Sequence, residues 1–141
     1  DATLAKGRAA GMMPLTVAVL DSGGHMVAFK REDGSGILRP EIAYGKAWGA
    51  IGMGVSSRLL RDRLADRPTF ISALSTASGG RLFPVPGGVL VRDENRVVMG
   101  AVGVSGDTSD KDEAAAIAGI LAAGLRPDPA EPDPDWEGSR L

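Results

Sequence analysis

Residues Gly100–Glu113 read GAVGVSGDTSDKDE, and the rest of the chain is organised around this stretch. An apolar, glycine-punctuated run ends at Gly103-Val104-Ser105-Gly106. A polar turn follows, and acidic residues then open an alanine-rich segment that reaches Ala123 and stops at Gly124. This is the pattern of a strand passing through a tight turn into a helix. Ser109 with Asp112, and Asp110 with Glu113, stand at capping-box spacing, so Ser109 or Asp110 is expected to cap that helix. Upstream, Arg96–Val104 suits a central strand. Val89–Arg92 and the turn Asp93-Glu94-Asn95 make it the second arm of a hairpin.

A first hairpin lies near the start: Leu15–Leu20 (LTVAVL), the turn Asp21-Ser22-Gly23-Gly24, and His25–Arg31 (HMVAFKR). Its first strand has little polar alternation, which predicts burial on both faces. Asp1–Gly11 ends as a helix stopped by Gly11 and Pro14. Pro40 and Glu41 open a helix running to about Met53, with Ile42, Ala43, Ala47, Ala50 and Ile51 on one face. Gly45, Gly49 and Gly52 recur along it and point to close packing against a neighbour. Ser57–Ala65 is a short helix, and Pro68 opens another helical turn closed by Ser78-Gly79-Gly80. Residues 1–125 are therefore expected to form one domain, with an antiparallel or mixed sheet covered by helices. Arg126–Leu141 (RPDPAEPDPDWEGSRL) carries four prolines and is expected as an extended or mobile tail, in which Trp136 is the residue fit to dock.

Composition excludes several classes. With 141 residues, 43% hydrophobic and 24% charged, one core suffices without a disulfide or structural metal. Cys 0 removes thiolate chemistry and iron–sulfur clusters, and His 1 makes zinc a poor fit. No metal site is assigned, although carboxylates leave a hard cation open. Net charge −2 with interspersed signs argues against a nucleic-acid partner. No apolar run approaches the ~20 residues that span a bilayer, so no membrane insertion is expected. A cytoplasmic location is the expectation, with export left open because the chain starts at Asp1 without Met.

The glycine turn before the last helix, with its free N–H groups and helix dipole, has the makings of an anion site. Yet Asp107, Asp110, Asp112 and Glu113 place four carboxylates there, and no P-loop or dinucleotide fingerprint is present. An ordinary strand-to-helix turn is the plain alternative. Gly87-Gly88, between Pro84-Val85-Pro86 and Val89, is either a plain turn or a place where backbone meets a ligand. Lys46 either snorkels out of the core or neutralises a carboxylate, a substrate's or that of Asp112 or Glu113. His25, the only imidazole, is either an exposed turn residue or a haem ligand. Arg31 and Asp33 close the first hairpin as a solvated pair or as ligand contacts. Ser105 lies in GVSG, outside the nucleophile-elbow pattern, so serine chemistry has little support.

Taken in order, LTVAVLDSGGHMVAFKRED (Leu15–Asp33), the helix with Ala43 and Lys46-Ala47, Pro86-Gly87-Gly88-Val89, and the GxxGVSG and DxDE elements of Gly100–Glu113 resemble the GlcG/HbpS family, which includes the C-terminal domain of PduO-type proteins. The resemblance covers about residues 4–125. It implies an α+β, profilin-like three-layer α/β/α fold with a five-stranded antiparallel sheet, usually assembled as a homo-oligomer. It also implies binding, and in some members degradation, of haem. Asp21, Arg31, Asp33, Lys46, Gly87, Gly88, Gly103, Ser105, Gly106, Asp112 and Glu113 fall on the family pattern. Leu90 after PGGV and the Pro-rich tail depart from it.

Two functions of different kind follow. The first is a small-ligand-binding module for haem or a related tetrapyrrole, with His25 as axial ligand and Met26 or Tyr44 as weaker candidates. Arg31, Asp33, Gly87, Gly88, Gly103, Ser105 and Gly106 are the expected ligand-binding residues; the Gly100–Glu113 turn is expected to form a small pocket with Lys46, and haem to sit elsewhere, near His25. The second is an enzyme acting on a small organic (hydroxy) acid by proton transfer or addition/elimination. There Lys46 or Arg31 holds the anion, Glu113 or Asp112 is the base, and the Gly103–Gly106 amides stabilise an oxyanion. A non-catalytic accessory subunit of a catabolic pathway is the third reading.

Overall fold

All strand pairing in the chain is antiparallel, and alternation of side chains along three apolar strands decides which helix covers which face. The computed structural model describes all 141 residues. The elements are α1 (Ala2–Ala9), β1 (Thr16–Asp21), β2 (Met26–Arg31), α2 (Arg39–Met53), α3 (Ser57–Leu64), α4 (Pro68–Ala77), β3 (Gly88–Arg92), β4 (Val98–Ser105), α5 (Ser109–Ala122) and β5 (Arg126–Asp128), followed by a short 3₁₀ turn at Trp136–Gly138. The five strands lie in the order β2-β1-β4-β3-β5. The expected α+β architecture, a five-stranded antiparallel sheet between helical layers, is present.

Period-two alternation sends Val17, Val89, Val91, Val102 and Val104 to one face, where they pack on Ala115, Ala116, Ile117 and Ile120 of α5. Leu20, Leu90 and Ala101 take the opposite face and pack on Ala47 and Ala50 of α2. A satellite cluster of Leu60, Leu64 and Leu82 anchors α3 and α4. The central strands are buried on both faces, as the apolar run of β1 predicts, whereas every residue of the edge strand β2 is exposed.

On the α2 face the sheet presents glycine. A Cβ at Gly103 would lie 1.9 Å from the carbonyl oxygen of Ala43, and one at Gly88 would lie 2.2 Å from that of Lys46. The α2 backbone thus rests directly on the sheet. On the outer side of α2, Gly45 and Gly49 make room for Phe83 and Leu82, as their spacing predicts; Gly52 meets nothing closer than Trp48 at 4.0 Å.

Three details differ from the sequence reading. The N-cap of α5 is Thr108, not Ser109 or Asp110, and its side chain makes no capping bond. Instead the Asp112 carboxylate reaches back to accept the Asp107 N–H at 3.0 Å. His25 lies in the turn, and β2 begins one residue later. The fifth strand comes from the segment expected as a tail: Arg126–Asp128 pairs with β3, so the sheet extends past residue 125. The remainder folds back on the domain. Trp136 packs on the α5-side core with the Lys6 ammonium 5.0 Å from its ring centroid, the Arg58 guanidinium donates to the Glu131 carbonyl, and Ser139 bonds Asp110.

Gly103→Ala is expected to cost about 3 kcal/mol, since the clash is with backbone that cannot rotate away. The melting temperature should fall by roughly 10 °C, whereas Gly138→Ala, which meets nothing within 4 Å, should leave it unchanged.

Candidate functional site

The two ends of β4 carry different chemistry. At its C-terminal end, Lys46 from the middle of α2 is only 2% exposed. Its ammonium donates to Asp112 Oδ2 at 2.8 Å and to the Val104 carbonyl at 3.0 Å. It does not snorkel, because it sits over the sheet, where α2 is closest and no route leads outward. Burial pulls the Lys46 pKa down against the opposing charge of Asp112, and burial pulls that of Asp112 up against Lys46. Beside them, burial raises the pKa of Asp107, but the N–H groups of Met13 and Thr108 together with Lys111 outweigh it and hold the carboxyl below its ordinary range.

Glu113, the next residue along α5, points elsewhere. Its carboxylate is wholly buried, lies 3.3 Å from the Arg58 guanidinium, and has no hydrogen bond on either oxygen. Burial, only partly opposed by Arg58, pushes its pKa up to about 7. The spacing of Asp112 and Glu113 thus splits them onto two basic partners. Gly103 and Ser105 lie in the paired strand β4, and the Val104 N–H is taken by the Gly87 carbonyl. The amides proposed for an oxyanion are therefore largely committed to the sheet. Ser105 is buried and accepts from Arg39 at 3.2 Å, and a Cβ at Gly106 would strike the Pro14 carbonyl at 2.4 Å. Gly87 and Gly88 likewise pack against Lys46, and the Gly88 N–H donates to Ser57.

At the N-terminal end of β4, the sheet and the C-terminal half of α5 diverge and leave an apolar groove of about 370 Å³. Val19, Val27, Met99, Val102, Ile120 and Leu125 are among its walls, and Asp21 stands on its rim. His25 does not itself line the groove; the turn ties it to Asp21. Its N–H donates to Asp21 Oδ1 at 2.9 Å, and its Nδ1 lies 3.3 Å from both Asp21 oxygens, with the ring largely in solvent. The N–H of His25, helped by the Gly23 N–H and the His25 ring, outweighs desolvation and draws the Asp21 pKa below its ordinary value. The rest of the expected ligand set lies apart. Arg31 and Asp33 are exposed and unpaired with each other, and neither lines the groove. Met26 and Tyr44 line a different cavity, with the Tyr44 hydroxyl donating to the Gly24 carbonyl. Met99, overlooked in the sequence because it sits within an apolar strand, is half exposed on the groove wall. No cluster of three His, Cys, Asp or Glu side chains is arranged to hold a metal ion, and no helix is long and apolar enough to cross a membrane.

A three-layer domain with an antiparallel sheet and an apolar groove at one sheet end defines a profilin-like α+β protein. The chain belongs to the HbpS-like family: the model of that family, described as haem degrading protein HbpS-like, matches residues 1–121. Among solved structures it resembles a PduOC:heme complex (22% identity, 88% of each chain covered, TM-score 0.79). It also resembles the Klebsiella pneumoniae protein ORFY (24% identity, 87% of this chain and 83% of that one, TM-score 0.76). HbpS matches at 27% identity over 86% of this chain and 81% of its own, with a TM-score of 0.73. No curated protein matches the chain.

Two outcomes are expected of the buried charges. Lys46→Met should cost about 3–5 kcal/mol by stranding Asp112, and Lys46→Met with Asp112→Asn should cost less than the sum of the single changes in a urea-denaturation cycle. The folded pKa of Glu113 lies above its ordinary 4.5. The folded state therefore binds the extra proton, and stability falls as pH rises from about 4.5 to about 7. Glu113→Gln should remove that fall, so the variant gains on the wild type by up to about 3 kcal/mol by pH 8; parallel pH profiles of the two would contradict it.

Proposed function

We propose that this protein binds haem, or a closely related tetrapyrrole, in the apolar groove, and that His25 would hold its iron. The observation that carries the reading is the double role of Asp21, which lines the groove and contacts the only imidazole of the chain. A carboxylate on Nδ1 orients a histidine and leaves Nε2 to a metal, the usual second-shell arrangement of histidine ligands. The groove is mainly apolar and falls within the size range of small-molecule sites, which suits a flat hydrophobic ring system. Met99 is a further sulfur donor on the same wall. Bound haem supplies redox and dioxygen chemistry, while the chain's own residues seat the ring and hold the imidazole. A cytoplasmic location and assembly as a homo-oligomer belong to the same proposal, with the exposed edge β2 as the free strand.

The enzymatic reading keeps one supporting observation, a buried Glu113 poised to exchange a proton near neutral pH. It requires deuterium exchange next to the carboxylate of a small hydroxy acid, and none in the wild type removes it.

Titrating the protein with haemin should give a saturable Soret shift that His25→Ala abolishes, and Asp21→Asn should weaken binding several-fold. An unchanged titration of His25→Ala would remove the histidine from the site.

A further inference from the structure

After β5 the chain runs over the outside of the domain, and none of residues 129–141 is buried. Pro129, Pro132 and Pro134 have no backbone N–H, so the segment has little hydrogen bonding of its own. Three contacts seat it. Trp136 lies half-buried on the α5-side core beside Lys6, Ser139 bonds Asp110 at 3.2 Å, and the Arg58 guanidinium donates to the Glu131 carbonyl at 2.9 Å. A segment held by so few buried contacts opens at small cost compared with the core.

Two of the three contacts are made by neighbours of Glu113. Asp110 precedes it on α5, and Arg58 lies 3.3 Å from its carboxylate. That carboxylate is wholly buried, and neither oxygen accepts a hydrogen bond. A neutral carboxyl tolerates such a setting, but an ionised one needs water or a well-aligned donor. The charges facing it come from four elements: Arg58 and Arg61 of α3, Lys46 of α2, Asp110 of α5 and Asp133 of the tail. Lys46 is bonded to Asp112 and Arg61 to Asp62, while Asp110 and Asp133 repel an ionised Glu113. Only Arg58 is within ion-pair distance. A guanidinium grips a carboxylate side-on through two parallel N–H bonds, from Nε and Nη2. Here Nη2 is turned to the Glu131 carbonyl instead. Arg58 thus couples Glu113 to the tail. Gripping the ionised carboxylate would draw the guanidinium off Glu131, and the new negative charge would push on Asp133.

We propose that residues 129–141 form a proton-controlled strap, docked while Glu113 is protonated and released when Glu113 ionises. Release returns water to Glu113 and opens the Glu113–Arg58 pair to small solutes. The sign follows from the burial that raises the docked carboxyl from 4.5 to about 7. The docked form holds the proton more tightly, so the docked-to-released ratio is greatest below about pH 4.5. It falls as pH rises and levels off above about 7, a loss of about 300-fold in all. The strap depends neither on the groove nor on haem.

The test is fluorine NMR of the full chain carrying 5-fluorotryptophan, whose two resonances, Trp48 and Trp136, are told apart with Trp136→Phe. Trp48 packs on the α2-side core and reports on the domain, whereas Trp136 reports on the strap. Between about pH 5 and about pH 8 the Trp136 resonance should sharpen and move toward the position of free fluorotryptophan, with Trp48 unchanged. Glu113→Gln, neutral throughout, should keep Trp136 in its docked position at both ends of the range. A Trp136 resonance that is the same at both pH values in the wild type overturns the strap. So does a release that persists in Glu113→Gln, or one in which Trp48 changes together with Trp136.

Discussion

The ion pair between Lys46 and Asp112 holds the three layers in one arrangement. Lys46 comes from α2 on one side of the sheet, Val104 from the sheet itself, and Asp112 from α5 on the other side. The second oxygen of Asp112 reaches back to Asp107 and fixes the entry into α5. Such a pair gains little over a well-packed apolar replacement, because both charges give up water. Its value is geometric. An ammonium in that position has one carboxylate and one carbonyl to meet, so sliding α2 along the sheet would strand a buried charge. The glycines beneath α2 act with it: they let the helix approach closely enough for Lys46 to reach across the end of β4.

This arrangement divides labour along β4. Its C-terminal end, with the conspicuous GVSGDTSDKDE turn, is filled with satisfied or buried polar groups. Its N-terminal end, around Met99 and Gly100, opens into the groove. The acidic turn that dominates the sequence serves mainly to hold the layers together. The apolar groove lies at the far end of the same strand, near the less conspicuous turn that ties His25 to Asp21.

Much of the fold was legible because it follows from period and punctuation. The two hairpins, the helix from Pro40 and the alanine-rich last helix all lie close to their expected places. Strand β5 was not legible: it is three residues long and contains Pro127, a residue tolerated at a sheet edge but usually a sign against a strand. The cap of α5 was misplaced by one or two residues because several polar residues in succession offered the same spacing. For the candidate site, the sequence showed that Lys46 needs a carboxylate but not that Asp112 takes it while Glu113 turns to Arg58.

The position of β4 also governs how the chain comes to be folded. Strand β1 pairs at once with β2 through a short turn, but its other neighbour is β4, where Thr16 meets Ser105. During synthesis the first hairpin therefore waits, with one edge and both apolar faces uncovered, until most of the chain has emerged. Contacts so distant along the chain slow folding, because a large loop must close before they form. Closure of the sheet comes last, when Arg126–Asp128 joins β3. The interval before β4 arrives is when a nascent chain is most open to pairing with the wrong strand, and the charged residues Lys30 and Arg31 on its outer edge are the kind of residue that discourages such pairing.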